Sequence, residues 1–237
     1  MAKAKKALQK NKRMVRVRSK RYGEHERNPR GTFKPAVLND AMVQSKNNLV
    51  QVNGIASLIF SAIRNDHSDG TLWTRLLSIL RNQLREEHYN DVHSLLHLEL
   101  HAEHTLRNML RSYFKIKISG IVKRQLHISL NLEKPPRWKT RNMYHFQASM
   151  HVIYPDFERK RIQKEVVVSD IYSLYKYPPE IPFAVPVPAG AKSFAVFLKV
   201  TGCINGIPQN GRQSTGIRCV KTGIIKKPNK KVHKPSR

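Results

Sequence analysis

Residues 114–132 read FKIKISGIVKRQLHISLNL, and both halves of this stretch alternate. Phe114, Ile116 and Ile118 fall on one side with Lys115 and Lys117 on the other. Past Lys123 and Arg124, Leu126, Ile128, Leu130 and Leu132 share a side opposite His127, Ser129 and Asn131. A period of two is that of a half-buried strand, because successive side chains leave a pleated backbone on opposite faces. Lys123 and Arg124 then occupy the turn between two strands.

Working outward, the same period recurs at Tyr144, Phe146, Ala148, Met150 and Val152, and again at Phe194, Val196, Leu198 and Val200. Shorter candidates are Glu165–Val168 and Ile217–Val220. Several short strands separated by Gly, Pro and Asn turns predict an antiparallel sandwich or open barrel. The segment YPPEIPFAVPVPAG, Tyr177–Gly190, has five prolines and is expected as an extended edge or connector, since a central strand cannot lose so many donors. Asn210-Gly211 reads as the hairpin turn joining the last two strands. Upstream, Leu95–His101 alternates and is expected as a strand, followed by a short helix at Thr105–Ser112.

Before the strands the period changes. Leu38, Met42, Ser45, Leu49, Val52, Ala56, Ile59 and Ile63 recur at spacings of four and three, which predicts a helix over Ala36–Arg64. NDHSDG at 65–70 is turn chemistry, with Asp66 and Asp69 as helix-capping residues, and a second amphipathic helix begins near Thr71. The apolar seam is expected to pack within the chain, a dimer contact being the alternative. The fold class is α+β: an N-terminal helical hairpin (35–90), then a mainly antiparallel β domain (91–220), with basic extensions at 1–34 and 221–237.

This order resembles an uncharacterised family of short bacterial proteins, a domain of unknown function in which a basic or polar lead-in precedes a helical pair, a Leu-alternating strand, a short helix and a β domain. The resemblance runs from about Thr32 to Val220 on the helical stretch, LLHLEL, LRNML, FKIKISG and LHISLNL. It implies no activity and no site residues, and the dense basic ends lie outside it.

Charge bounds the partner. The chain of 237 residues carries a formal net charge of +28. Residues 1–34 hold thirteen Lys or Arg against Glu24 and Glu26, and 218–237 hold eight with no acid. Such segments repel themselves and are neutralised by a polyanion, releasing counterions. The expected nucleic-acid contacts are Lys5, Lys6, Lys10, Lys12, Arg13, Arg16, Arg18, Lys20 and Arg21 in the arm, and Lys226, Lys227, Lys230 and Lys231 in the tail. In the body they are Lys115 and Lys117, Lys123 and Arg124, Arg137, Trp138, Lys139 and Arg141, and Arg159, Lys160 and Arg161. Trp138 among cations is either a base-stacking platform or a loop aromatic folded over the core.

The motifs of phosphate-binding loops, dinucleotide folds and serine hydrolases are missing, so a non-enzyme is expected. HLELHAEH, 97–104, has imidazoles at metal-binding spacing, but H-x-E-x-H is not a zinc-protease motif, and no metal or other cofactor is expected. No apolar run is long enough to cross a bilayer and no secretory h-region follows the basic start, so the expected location is cytoplasmic, with Cys203 and Cys219 reduced. The leading expectation is a nucleic-acid-binding protein, RNA before DNA, within a ribonucleoprotein-like assembly. Alternatives are a capsid-like or filament subunit forming a homo-oligomer around packaged nucleic acid, and an adaptor for an acidic protein or anionic membrane surface.

Overall fold

The computed structural model describes residues 15–19, 23–27, 39–66, 68–85, 92–138 and 142–225. They divide into two units, Met1–Ser45 and Lys46–Arg237. In the first, β1 (Val15–Ser19) and β2 (Gly23–Arg27) form an antiparallel hairpin. Arg16 stands opposite Glu26 and Arg18 opposite Glu24, and the Arg16 Nε lies 3.2 Å from the Glu26 carboxylate. The arm therefore contains a strand pair in which the two β1 arginines face Glu26 and Glu24.

Helix α1 (Asp40–Ile63) starts where Asn39 accepts the Met42 N–H at 2.9 Å, a side-chain cap on an otherwise orphaned donor. Of the expected seam, Val52, Ala56, Ile59 and Ile63 are buried, whereas Met42 and Leu49 are exposed. The reason is length. The partner α2 (Leu72–Arg85) has 14 residues against 24, so at about 1.5 Å per residue it reaches along little more than half of α1. Asp69 starts α2 by accepting from the Thr71 N–H and Oγ1–H, both at 2.8 Å, as the sequence led us to expect of it. Asp66 departs from that expectation: its carboxylate is taken by Lys164 and His151.

The second unit is built in three layers. One sheet has the order β10–β8–β5–β6: β5 (His145–Asp156), β6 (Arg161–Ser173), β8 (Ser193–Ile204) and β10 (Thr215–Ile224), with β9 (Ile207–Pro208) beside β8. The other has the order β3–β4–β7: β3 (Phe114–Val122), β4 (Gln125–Leu132) and β7 (Glu180–Pro186). All pairings are antiparallel. Leu126, Ile128 and Leu130 of β4 meet Phe146, Met150, Val196 and Leu198 of β5 and β8 in the core between the sheets. The opposite face of the larger sheet gives Ile153, Ala195, Phe197, Ile217 and Cys219 to a second core with α1 and α2. Strands β5 and β8 are thus buried on both faces. β7 keeps Glu180, Pro182, Ala184 and Pro186 exposed and among the described residues pairs only with β4, so the proline-rich segment is an edge strand.

Two local readings change. Leu95–His101 is not a regular strand: a 3₁₀ turn, Val92–Leu95, is followed by a short segment held to β10 by the Glu99–Arg218 bridge, with the His97 and Leu100 N–H groups donating to the Cys219 and Ile217 carbonyls and the Cys219 N–H to that of Leu98. His97 at φ 71° breaks the extended run, and Leu95, Leu98 and Leu100 are the buried leucines. The helix after it, α3 (Leu106–Leu110), carries a side-chain cap from Thr105. The tight hairpin after β8 is made by Asn205-Gly206, both at positive φ, as a two-residue turn into β9; Asn210-Gly211 lies in the longer link before β10.

Candidate nucleic-acid interface

Antiparallel pairing decides which basic residues meet. The β3–β4 turn carries Lys123 and Arg124, both exposed and both left-handed, at φ 47° and 62°. A type I′ hairpin needs positive φ at both central residues, where Asn and Gly are ordinarily found; here two long cations hold the position. The Arg124 carbonyl accepts the Val187 N–H at 2.8 Å, which ties this tip to the link between β7 and β8. That link ends in Lys192, whose Nζ lies 2.7 Å from Glu158 in the β5–β6 turn. Arg159 and Lys160 occupy the same turn and Arg161 opens β6, all exposed, with Arg159 Nε 3.8 Å from Asp156. The Lys192 carbonyl accepts the Ile225 N–H at 2.8 Å, so β10 finishes here too, its last residues falling within the basic extension 221–237.

One end of the sandwich thus gathers Lys123, Arg124, Arg159, Lys160, Arg161 and Lys192 against Asp156 and Glu158. The acids make ion pairs with Arg159 and Lys192, and Arg161 stands opposite Asp156 in the β5–β6 ladder, leaving Lys123, Arg124 and Lys160 exposed with no acid paired to them among the described residues.

Other expected contacts lie elsewhere. Lys115 and Lys117 stand along the outer face of β3, with Lys115 Nζ 2.9 Å from Glu133. Arg137 and Trp138 are at the opposite end of the sheets. Trp138 donates its indole N–H to the Ser214 carbonyl at 2.9 Å and packs on the core, close against Gly202. Of its two readings, the folded-back aromatic describes this contact. It still lines a cleft of about 180 Å³ with Arg137, His104, Asn108 and Gln213. Arg16 and Arg18 lie on the arm hairpin beside Glu26 and Glu24. Lys5, Lys6, Lys10, Lys12, Arg13, Lys20, Arg21, Lys139, Arg141, Lys226, Lys227, Lys230 and Lys231 lie outside the described residues.

The histidine-rich stretch holds the fold together. Glu99 accepts the Leu106 and Arg107 N–H groups at 2.9 and 3.1 Å, capping α3, with Arg218 Nε 3.7 Å away. The buried His101 accepts the Glu103 and His104 N–H groups on Nδ1, each at 3.2 Å. Arg75 of α2 donates to the carbonyls of Glu99 and Leu100 and to Asp69. Ala102 N–H also donates to Asp69, so one carboxylate pins both the helix start and this loop.

A polar group that the sequence reading overlooked sits on the helix-facing side of β5. Ser149 Oγ lies 3.0 Å from His151 Nε2, and His151 Nδ1 lies 3.3 Å from Asp66 Oδ1. The second contact is within ion-pair distance but off the line of a straight N–H···O bond, which leaves Nδ1 without a well-formed partner. Lys164 of β6 bonds the other Asp66 oxygen and the Ala62 carbonyl. Burial by itself raises the Asp66 carboxyl, but its contacts with His151 and Lys164 hold it below the usual range. Lys199 stands opposite Ser149 across the β5–β8 ladder, its pKa lowered by burial despite the attraction of Asp66. The available signal was two polar residues, two apart, on a strand whose alternate residues are apolar; that pattern also describes a solvated face.

Comparison of the chain with protein-family models, with curated proteins and with solved structures finds no match.

Proposed function

We infer that this protein binds nucleic acid, its basic sandwich end and basic termini neutralising the phosphate backbone without a base code. The observation that supports this reading most directly is the convergence of Lys123, Arg124, Lys160 and Arg161 at the end of the fold where β10 finishes. Four exposed cations with few acids among them match a row of phosphates, and in sequence the arm and tail carry the same sign of charge. Left-handed lysine and arginine at a turn tip favour the same reading, since Asn-Gly would make that turn with less strain. Binding by charge is the role assigned to this surface, with RNA favoured as the partner because the exposed groups fit backbone and shape more than a groove-reading helix.

The test is fluorescence anisotropy of the full chain with a single-stranded RNA and a duplex DNA of equal length, across salt. Changing Lys123, Arg124, Lys160 and Arg161 to Glu is expected to lower affinity and flatten the log K against log salt slope by about 0.7 for each lost single-strand contact. An unaltered chain with no affinity at moderate salt, or a variant with an unchanged slope, overturns the reading.

A further inference from the structure

We propose that Ser149 is a nucleophile for acyl transfer, with His151 as its general base, Asp66 orienting the imidazole, and a short-chain carboxylic ester as the class of substrate. The inference stands apart from nucleic-acid binding and shares no residue with that surface.

The argument begins with order and distance. Asp66 Oδ1, His151 Nδ1, His151 Nε2 and Ser149 Oγ follow one another at 3.3 Å and 3.0 Å. An ionised carboxylate on the Nδ1 side keeps the ring proton there, so Nε2 presents its lone pair to the serine hydroxyl. That is the arrangement a hydroxyl needs to lose its proton as it attacks. Lys164 holds the second carboxylate oxygen, fixing Asp66 at the end of α1, and β5 fixes the other two residues two positions apart on one face.

The surroundings supply the remaining parts. Lys199, directly opposite Ser149 on β8, starts from a Cβ about 5 Å away and carries the cation nearest in register to a developing oxyanion. On the other flank, Val168 pairs with Ser149 and Val166 with His151, and these valines are 52% and 46% exposed. The helix layer therefore leaves the β6 side of these rungs open, while Ser149 and His151 beside it are buried. Ser149 itself is only 7% exposed, which limits the acyl group to a small one lying along the two valines.

Ser149 Oγ adds to the ester carbonyl carbon while its proton passes to His151 Nε2 and the carbonyl π pair moves to oxygen. Collapse of the tetrahedral adduct breaks the bond to the alkoxy group, which leaves as the alcohol with the proton from His151. Water then attacks the acyl-serine by the same route, giving the acid and restoring both residues.

Treating the full-length protein with a fluorophosphonate and mapping the adduct by peptide mass spectrometry tests the nucleophile; hydrolysis of p-nitrophenyl acetate tests turnover. The expected result is one adduct, on Ser149, with turnover lost in Ser149→Ala and lowered about 10²-fold in His151→Gln, while circular dichroism melts show both variants folded. Absence of the Ser149 adduct, or turnover unchanged in Ser149→Ala, overturns the proposal. If Ser149→Ala fails to fold, mapping the unaltered protein decides alone, since a network that merely neutralises Asp66 leaves Ser149 unlabelled.

Discussion

Arg75, Lys164 and Arg218 show that a cation in this chain is not always a surface cation. Each is directed at a backbone carbonyl or a carboxylate inside the fold, at Glu99, Leu100, Ala62 or Asp66. Removing one side of the Asp66 group strands the other, so Asp66→Asn is expected to destabilise the protein by about 3 kcal/mol, read from urea unfolding. Acid acts on the same interior. Burial lowers the His101 pKa, opposed by Asp69, so the unfolded chain takes up the proton first. Stability is therefore retained above about pH 6.5 and lost as pH falls below it. Urea midpoints at pH 7, 6 and 5 should fall steadily in the parent and fall less in His101→Asn, with His97, whose pKa burial and then Arg218 lower, supplying a remainder. Asp66 and Asp69, both held low, add a second loss only below about pH 4, as pH passes through their folded pKa values.

Elements carry the next set of consequences. The β3–β4 turn holds two non-glycine residues in the left-handed region, each at a cost of order 1 kcal/mol. Replacing Lys123-Arg124 by Asn-Gly is expected to raise the midpoint of thermal unfolding and to weaken nucleic-acid affinity at once; a variant that gains stability and keeps its affinity would remove this turn from the interface. Where α3 crosses β10, a Cβ on Gly216 would come within 2.9 Å of the Leu106 Cα and 3.0 Å of its N. Backbone cannot yield as a side chain does, so Gly216→Ala should cost about 1–3 kcal/mol by denaturant unfolding. Strands such as Leu126–Leu132 were legible because burial on one face writes a two-residue period. Leu95–His101 wrote the same period for another reason: its leucines enter a core from a turn, and no residue type announces that His97 will adopt positive φ. Asn205-Gly206 and Asn210-Gly211 offered the same turn chemistry, and only pairing with β8 distinguishes them.

At the scale of the molecule, sequence clusters and spatial clusters are different sets. Lys123-Arg124 and Arg159–Arg161 lie far apart in the chain and meet because antiparallel strands return to one end, whereas Arg137 and Trp138 are carried to the other. The sign and size of the charge were legible from composition; its focus depended on strand order, which alternation does not encode. Deleting residues 1–34 is expected to flatten the salt dependence of RNA binding without abolishing it, since the sandwich end remains; complete loss would move the interface to the arm. Among the described residues no helix is long and apolar enough to cross a membrane. Cys219 lies wholly buried where the larger sheet meets α1 and α2, its thiol pushed up to about 12 by burial. A thiol so placed is inert until the helices lift from the sheet, so its rate of alkylation times that opening. Cys203, buried on the neighbouring strand, provides a second clock. Two rates that agree would mean the layers part as one cooperative unit, and two that differ would show which part opens first.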